Sequence, residues 1–411
     1  MKANRAYKVE IRPNNYQRTL LKKHAGAARV AYNWGLRRKI DAYEQDGKSP
    51  NAIALHRELN VLKDVPKEDG GFPWMRESSK CAPQEALRDL DRAFSNFFRR
   101  CKQGAAQKGF PRFKSRHDGR GSFRLTGSIK ATEAHIQLPR LGKIRLKERG
   151  YLPTADRTDV RILSATVSEQ AGRWFVSFAV EQEVPDPQPR PHHVIGVDVG
   201  IKALATTSDG EVFENPKALA KAERRLRMLQ KSVARKKKGS NNRRKAKQKV
   251  ARQHYRVSCI RRDAIHKLTS MIAKSGSILV VEDLHVKGML RNRKLSKAVS
   301  DASFGEILRQ LEYKAAWAGV QVVKADRFFP SSKTCSGCGH VKADLALGDR
   351  TYECGACGLV LDRDLNAAIN LKSLAGSSPV TACGADVRRP DARKGVLSAA
   401  AVKQEPNVVW A

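Results

Sequence analysis

Hydrophobic and polar positions change period several times along the chain, and each change predicts a different element. Tyr7, Val9 and Ile11 alternate with polar neighbours in AYKVEIRP, the pattern of a half-buried strand. From Asn14 to about Tyr43 the spacing turns helical, through Leu20, Leu21, Ala28, Ala31, Leu36 and Ile40. After a loop rich in Pro, Gly and Asp around residues 66 to 73, a second helix is predicted near Pro83. There Leu87, Leu90, Phe94, Phe97 and Cys101 recur at steps of three and four, a stripe that reads as core rather than as a base-stacking face. Residues 135–146 and 160–183 predict hairpins, the second turning near Ala171-Gly172. With the first strand they suggest a small antiparallel barrel or sheet into which a helical region is inserted. Val184-Pro185-Asp186-Pro187-Gln188-Pro189 reads as a linker and a domain boundary.

Beyond the linker the texture changes. Residues 194 to 200 form an apolar strand with one carboxylate, Asp198, at its centre, and Leu204 to Thr207 can pair with it. An isolated Asp in such a strand is costly unless it is ionised for a purpose or hydrogen-bonded. Asn215-Pro216 predicts an N-cap and first-turn pair. Apolar stripes through Leu219, Leu226 and Val233, and through Val250, Val257, Ala264 and Leu268, predict two packed helices broken at Gly239-Ser240-Asn241-Asn242. Residues 277 to 284 are a second buried strand, ending in Glu282-Asp283. Ser303 and Glu306 predict a capping box that opens a helix through Ala315, and Val320 to Lys324 another strand. From about Ala375 onward, Gly, Ser, Pro and charge without periodicity predict a disordered tail.

Charge sharpens this picture. The 411 residues carry 79 Lys+Arg against 41 Asp+Glu, a formal +38, which points to a polyanionic partner. Half of that charge sits in residues 216 to 275, where 21 Lys and Arg face only Glu223 and Asp263. No apolar run approaches the ~20 residues of a spanning helix, and the opening MKANRAYKVEIRP has no signal-peptide core. Nucleic acid therefore leads over a membrane surface. Gly109 to Arg116 interleaves Phe110 and Phe113 with Arg112, Lys114 and Arg116. That pattern suits backbone and stacking contacts with nucleic acid, and equally a basic loop pinned by two core Phe.

Cysteine spacing supplies the first specific chemistry. Cys335-x-x-Cys338 and Cys354-x-x-Cys357 are two knuckles at the spacing of a four-thiolate structural Zn²⁺ site. Cys81, Cys101, Cys259 and Cys383 are scattered, so there is no disulfide framework and a reducing compartment is expected. Just beyond the last ligand, Leu359-Val360-Leu361 leads into Asp362-Arg363-Asp364 and a helix-like run. A carboxylate at a strand-to-helix junction fits a hard-metal ligand or a helix N-cap. Asp198, Glu282 and Asp364 can converge at one edge of an α/β sheet, where they could hold two Mg²⁺ for phosphodiester cleavage.

This ordered set resembles the RuvC-like, RNase H-type nucleases, and within them the transposon-encoded TnpB family, relatives of the type V CRISPR effectors. The resemblance is carried by Gly196-Val197-Asp198-Val199-Gly200-Ile201-Lys202, Val281-Glu282-Asp283-Leu284, Phe329-Pro330-Ser331-Ser332, the four-cysteine ribbon, Asp362-Arg363-Asp364-Leu365-Asn366-Ala367-Ala368 and Gly109-Phe110-Pro111-Arg112-Phe113-Lys114. It implies a multidomain α+β chain: a barrel-like wedge domain (1–13 and 109–184), an inserted helical recognition domain (14–108), a linker (185–190), a RuvC-like nuclease domain (191–330 and 359–374, with the basic insertion 216–275), a zinc ribbon (331–358) and the tail (375–411). It implies an RNA-guided DNA endonuclease, with Asp198, Glu282 and Asp364 as catalytic magnesium ligands and Cys335, Cys338, Cys354 and Cys357 on structural zinc. Lys80 and Gln84 resemble positions that touch the target-adjacent motif. Partners would be a structured guide RNA from the transposon end and double-stranded target DNA, in a prokaryotic cytoplasm near the nucleoid, with one protein monomer per guide RNA. A binding-only repressor would lack one acid, and none is missing here. A guide-independent resolvase needs no recognition lobe, and a zinc-ribbon RNA binder leaves Asp198 unexplained.

Overall fold

The computed structural model describes residues 2–116, 121–153, 159–188, 190–346, 348–377 and 402–404. It divides into two compact units that meet in sequence at Pro185 and Asp186.

In the first unit, strand β1 (Lys2–Arg12) leads into helices α1 (Asn15–Asp46), α2 (Ala52–Leu62) and α3 (Cys81–Lys102). Strands β2 (Ser122–Leu125), β3 (Lys130–Ala131), β4 (His135–Leu138), β5 (Gly142–Leu146), β6 (Val160–Gln170) and β7 (Arg173–Glu183) follow. They pair in the order β2-β6-β7-β1-β5-β4-β3, all antiparallel. Among the described residues β2 and β3 stand at the two ends of this path, in keeping with the expected small antiparallel barrel or sheet. The β6–β7 hairpin turns at Ala171 and Gly172, both with positive φ, as the sequence predicts. Helix α1 starts at a capping box between Asn14 and Gln17 and stops at Gly47 in the left-handed conformation. Leu21, Leu36, Leu55, Leu87 and Leu90 of the helices and Val9, Ile136, Val167 and Phe178 of the sheet belong to one buried cluster. Helix α2 was not predicted, although Ala52, Leu55, Leu59 and Leu62 recur at helical spacing. Val402–Gln404, inside the expected tail, pairs parallel with β1; residues 378–401 and 405–411 lie outside the described residues.

Buried His24 fastens α1 to the start of α3. Its Nδ1 contacts the Leu20 carbonyl at 2.8 Å and its Nε2 accepts from the Ser79 N–H at 3.0 Å. Such a ring must be neutral, and burial lowers its pKa below the usual value.

The second unit is built on strands β8 (Val194–Asp198), β9 (Ala203–Thr207), β10 (Val212–Glu214), β11 (Ile278–Glu282) and β12 (Gln321–Ala325). Their order is β10-β9-β8-β11-β12. Strands β8, β11 and β12 are parallel, β9 runs antiparallel to β8, and β10 runs antiparallel to β9. Between β10 and β11 lie α4 (Ala218–Ala234) and α5 (Asn241–Ser275). Between β11 and β12 lie α6 (Val286–Met289), α7 (Ser296–Ala302) and α8 (Phe304–Ala318). The zinc-spaced segment holds β13 (Thr351–Glu353) and β14 (Val360–Asp362), which lead into α9 (Arg363–Ser377).

Strand alternation decides which face each side chain serves. Ile195 and Val197 of β8, with Leu279 and Val281 of β11, join Ile265, Leu268 and Ile272 of α5 and Ile307 and Leu311 of α8 in one core. The alternate positions face α9. Val280 packs with Leu371 of that helix, and a Cβ built on Gly196 would lie only 1.9 Å from the Ala368 carbonyl oxygen. The backbone of β8 thus touches the backbone of α9.

Two expected caps are built differently. Lys217, not Asn215, occupies the N-cap of α4, in the left-handed conformation and without a side-chain bond. The orphan N–H groups of Leu219 and Ala220 donate instead to Asp301 of α7, which also accepts from Arg261 at 2.8 Å. Ser303 is also left-handed and its hydroxyl turns back to the Ser300 carbonyl, while Glu306 pairs with Arg309 and Gln310, so no capping box forms. In both places a partner distant in sequence, or the next helical turn, outcompetes the local bond.

Two outcomes follow. His24→Ala should cost the first unit about 2–4 kcal/mol. Because the folded ring resists protonation, wild-type stability is fully present above pH 6.5 and falls as pH drops below it, and the variant should lose that slope; thermal midpoints at pH 7.5 and 5.5 measure both. Gly196→Ala should destabilise the second unit by about 2 kcal/mol or more by prising α9 from β8, visible as a lower denaturation midpoint.

Candidate functional site

Asp198 and Glu282 close two adjacent parallel strands, with Val197 and Val281 in register. Period two puts Asp198 on the face of Gly196, and Glu282 on the face of Val280, so both carboxylates point to the α9 side at the carboxyl ends of the strands. Ligand sites of open α/β sheets gather at such ends. Asp364 lies in the first turn of α9, on that same side. Asp198 is the acid that is shifted: burial first, then the negative charges of Glu282 and Asp364, push its carboxyl up to about 8, against the pull of Arg363. The two Asp residues of the D-R-D step divide their tasks. Asp362 is the helix cap, its Oδ1 accepting from the N–H groups of Asp364 at 2.9 Å and Leu365 at 3.2 Å. Asp364 has no such duty. Arg363 turns away, donating to the Ala346 carbonyl at 2.7 Å.

The four thiols come together as their spacing predicts. Cys335 and Cys357 Sγ are 3.6 Å apart, as are Cys338 and Cys354 Sγ. A tetrahedral Zn²⁺ with ~2.3 Å bonds needs sulfurs roughly 3.8 Å apart, so the cluster fits a structural zinc site. Each knuckle closes through a glycine with positive φ: Gly339 and Gly358 donate to the carbonyls of Cys335 and Cys354. The backbone N–H groups of Cys357 and Ala356 hold the Cys354 thiol down to about 6, ready to ligate as thiolate. Among the described residues these thiols are the one group of three or more His, Cys, Asp or Glu donors within 4.8 Å of one another. The three carboxylates are spread more widely.

In the first unit Lys80 is exposed at the head of α3 and Gln84 is half-buried one turn on. Arg112, Lys114 and Arg116 lie on an exposed loop that two contacts pin. Phe110 packs edge-on against Phe94 and Phe97, and the Asn33 side chain bonds both the N–H and the carbonyl of Lys114. Lys114 Nζ sits 3.7 Å from the centre of the Tyr32 ring. Phe110 is 48% and Phe113 54% exposed, so neither is a core residue.

Sequence reasoning assigned no role to Ser331, Asn366 and Asn370. All three are buried polar residues beside the carboxylates and the first knuckle. A pair of asparagines at i and i+4 inside an otherwise apolar helix face was the available signal.

Family profiles match three stretches of the chain: "Probable transposase" over residues 177–293, "Cas12f1-like, TNB domain" over 304–371 and "Helix-turn-helix domain" over 1–48. The last stretch is here one strand and one uninterrupted helix. A Streptomyces pristinaespiralis protein described as a "Putative RNA-guided DNA endonuclease" is 37% identical over 98% of this chain and 96% of its own. InsQ of Escherichia coli K12, of the same description, is 32% identical over 99% and 98%. Rv2885c of Mycobacterium tuberculosis H37Rv, again so described, is 35% identical over 95% and 90%. Solved structures superpose loosely: a Cas12f1–sgRNA–target DNA complex, 14% identical, covers 90% of this chain and 99% of its own at a TM-score of 0.34. Membership therefore rests on the sequence relatives, at this identity and near-complete coverage. The chain belongs to the TnpB family.

Proposed function

We propose that this protein is an RNA-guided DNA endonuclease that hydrolyses target DNA beside a short adjacent motif. What supports the reading is that Asp198 and Glu282 end adjacent strands and that the charges of Glu282 and Asp364 act on Asp198. Their mutual repulsion is what divalent cations relieve, and their oxygen donors suit Mg²⁺. Bound Mg²⁺ supplies an activated water and charge stabilisation at the leaving oxygen. Asp198 and Glu282, on rigid strands, hold one side of the site, and Asp364 closes it from a helix whose first turn Asp362 caps. The cysteine cluster holds Zn²⁺ as a structural clamp. The α4–α5 hairpin, dense in Lys and Arg, seats nucleic acid, and base pairing to a guide RNA reads the sequence. In this reading the sheet of the first unit is the wedge and α1 to α3 the recognition part, with Lys80 and Gln84 toward the adjacent motif and Arg112, Lys114 and Arg116 on the nucleic-acid backbone. One monomer serves each guide RNA, close to the nucleoid.

Asp364→Ala should lower plasmid cleavage at least about a thousandfold while guide-dependent target binding, measured in Ca²⁺, stays within a few-fold. Asp362→Ala should keep far more cleavage and lose about 1 kcal/mol of helix stability with its cap. Full cleavage by the Asp364 variant would end this reading.

Asp198 makes a second test. Its carboxyl titrates near 8 when folded and near the ordinary 3.8 when unfolded. The metal-free fold therefore loses stability as pH rises from about 4 to about 8. Asp198→Asn should raise the thermal midpoint in EDTA at pH 8 by about 2–4 °C and abolish the further rise that Mg²⁺ gives the wild type. A lower midpoint in EDTA would contradict the crowded-carboxylate picture.

A further inference from the structure

Ser331 is buried, and its hydroxyl donates to Glu282 Oε1 at 2.5 Å. A buried serine hydroxyl can be satisfied by any nearby carbonyl, and this one ends on a carboxylate, a stronger bond that fixes an otherwise rotatable side chain. The backbone around Ser331 is itself held from α9. Asn370 Nδ2 donates to the Ser331 carbonyl at 2.8 Å and to the Thr334 carbonyl at 2.6 Å. One turn earlier, Asn366 Nδ2 donates to the Thr334 carbonyl at 2.7 Å, and its Oδ1 accepts from the Ser336 N–H at 2.9 Å. Ser336 lies inside the first zinc knuckle, between Cys335 and Cys338, and Asn366 stands two residues after Asp364.

We propose that Ser331 is the positioning residue for Glu282, and that Asn366 and Asn370 register the zinc knuckle so that it governs Glu282 as well as Asp364. The inference rests on reading these carboxylates as the metal ligands. One short segment, residues 331 to 336, then sets two of the three acids: Glu282 through a hydroxyl, and Asp364 through the helix that the two asparagines lock in place. Loss of the zinc clamp frees Ser336, then the Asn366 bond, then the seat of Ser331. The defect reaches a β11 carboxylate that no part of the ribbon touches in sequence. Hydrogen-bond partners of metal-binding carboxylates set their orientation, and removing one typically costs 10–100-fold in metal affinity or activity.

The test uses the full chain with its guide RNA and target plasmid, titrating Mg²⁺. Ser331→Ala should raise the Mg²⁺ needed for half-maximal cleavage about 10–100-fold, with zinc content and target binding in Ca²⁺ unchanged. Ser331→Thr, which keeps the hydroxyl, should remain near the wild type. Wild-type protein stripped of zinc should shift its Mg²⁺ requirement in the same direction as Ser331→Ala. If Ser331→Ala fails to assemble, Ser331→Cys, similar in size and a weak donor, takes its place and should shift the requirement part of the way. An unchanged Mg²⁺ requirement in the Ala or Cys variant overturns the proposal. Glu282→Gln runs alongside: wild-type cleavage in that variant overturns the carboxylate reading itself, independently of Ser331.

Discussion

The second unit depends on one close approach, the backbone of Gly196 against the backbone of α9 at Ala368. Where a side chain would normally separate a strand from a covering helix, none fits. The helix therefore lies low on the sheet, and its first turn reaches the ends of β8 and β11. Every other feature of the site inherits that height. Asp198, two residues along from Gly196, faces the helix because strands alternate. Asp364 can lie within its field because the helix has nowhere higher to sit. On the proposed reading a crowded set of acids is costly by itself, and the groups bonded around it are the Asp362 cap, the asparagine pair and the Ser331 hydroxyl.

Much of this was legible in the residues, for identifiable reasons. Strands β1, β8 and β11, the β6–β7 hairpin and the break at Ser240 follow from period and turn chemistry, which act locally. The zinc cluster follows from spacing, since two C-x-x-C knuckles constrain geometry almost by themselves. The structure gives Asp362 the helix cap, where the strand-to-helix junction alone allowed either Asp a cap or a metal role. What escaped was non-local. Nothing near Lys217 signals that Asp301, far along the chain, will cap α4. The Ser303-x-x-Glu306 pattern matches a capping box yet yields to a left-handed Ser303. Helix α2 is the exception, a local miss: Ala52, Leu55, Leu59 and Leu62 share one helical face in the sequence, and the first three are buried in the core that α1 and α3 also line. Val402–Gln404 pairs with β1 from within a segment whose composition signals no structure.

The two basic helices show why charge density is poor evidence about fold and good evidence about partners. Their apolar stripes are sparse, and their N-terminal root is tied down by Asp301, Arg261 and the Lys297–Glu223 pair. Toward the turn at Lys236-Lys237-Lys238 there is little to offset like-charge repulsion. The outer part of the hairpin, between Glu223 and Asp263, carries no acid of its own and is where a polyanion would be most welcome.

The order of the site's pieces along the chain has a consequence for biosynthesis. Asp198 and Glu282 leave the ribosome early, the basic hairpin between them, and Asp364 only after the whole cysteine segment has been made. At ~5–20 residues per second, translation needs roughly ten to thirty seconds to travel from the first carboxylate to the last. Once residues 216–275 have been made, the nascent chain would, on the proposed function, be able to hold RNA on its hairpin while its acid set still lacks Asp364. On the proposed function loading would precede competence, and a chain cut short before α9 would keep the basic hairpin and lack Asp364.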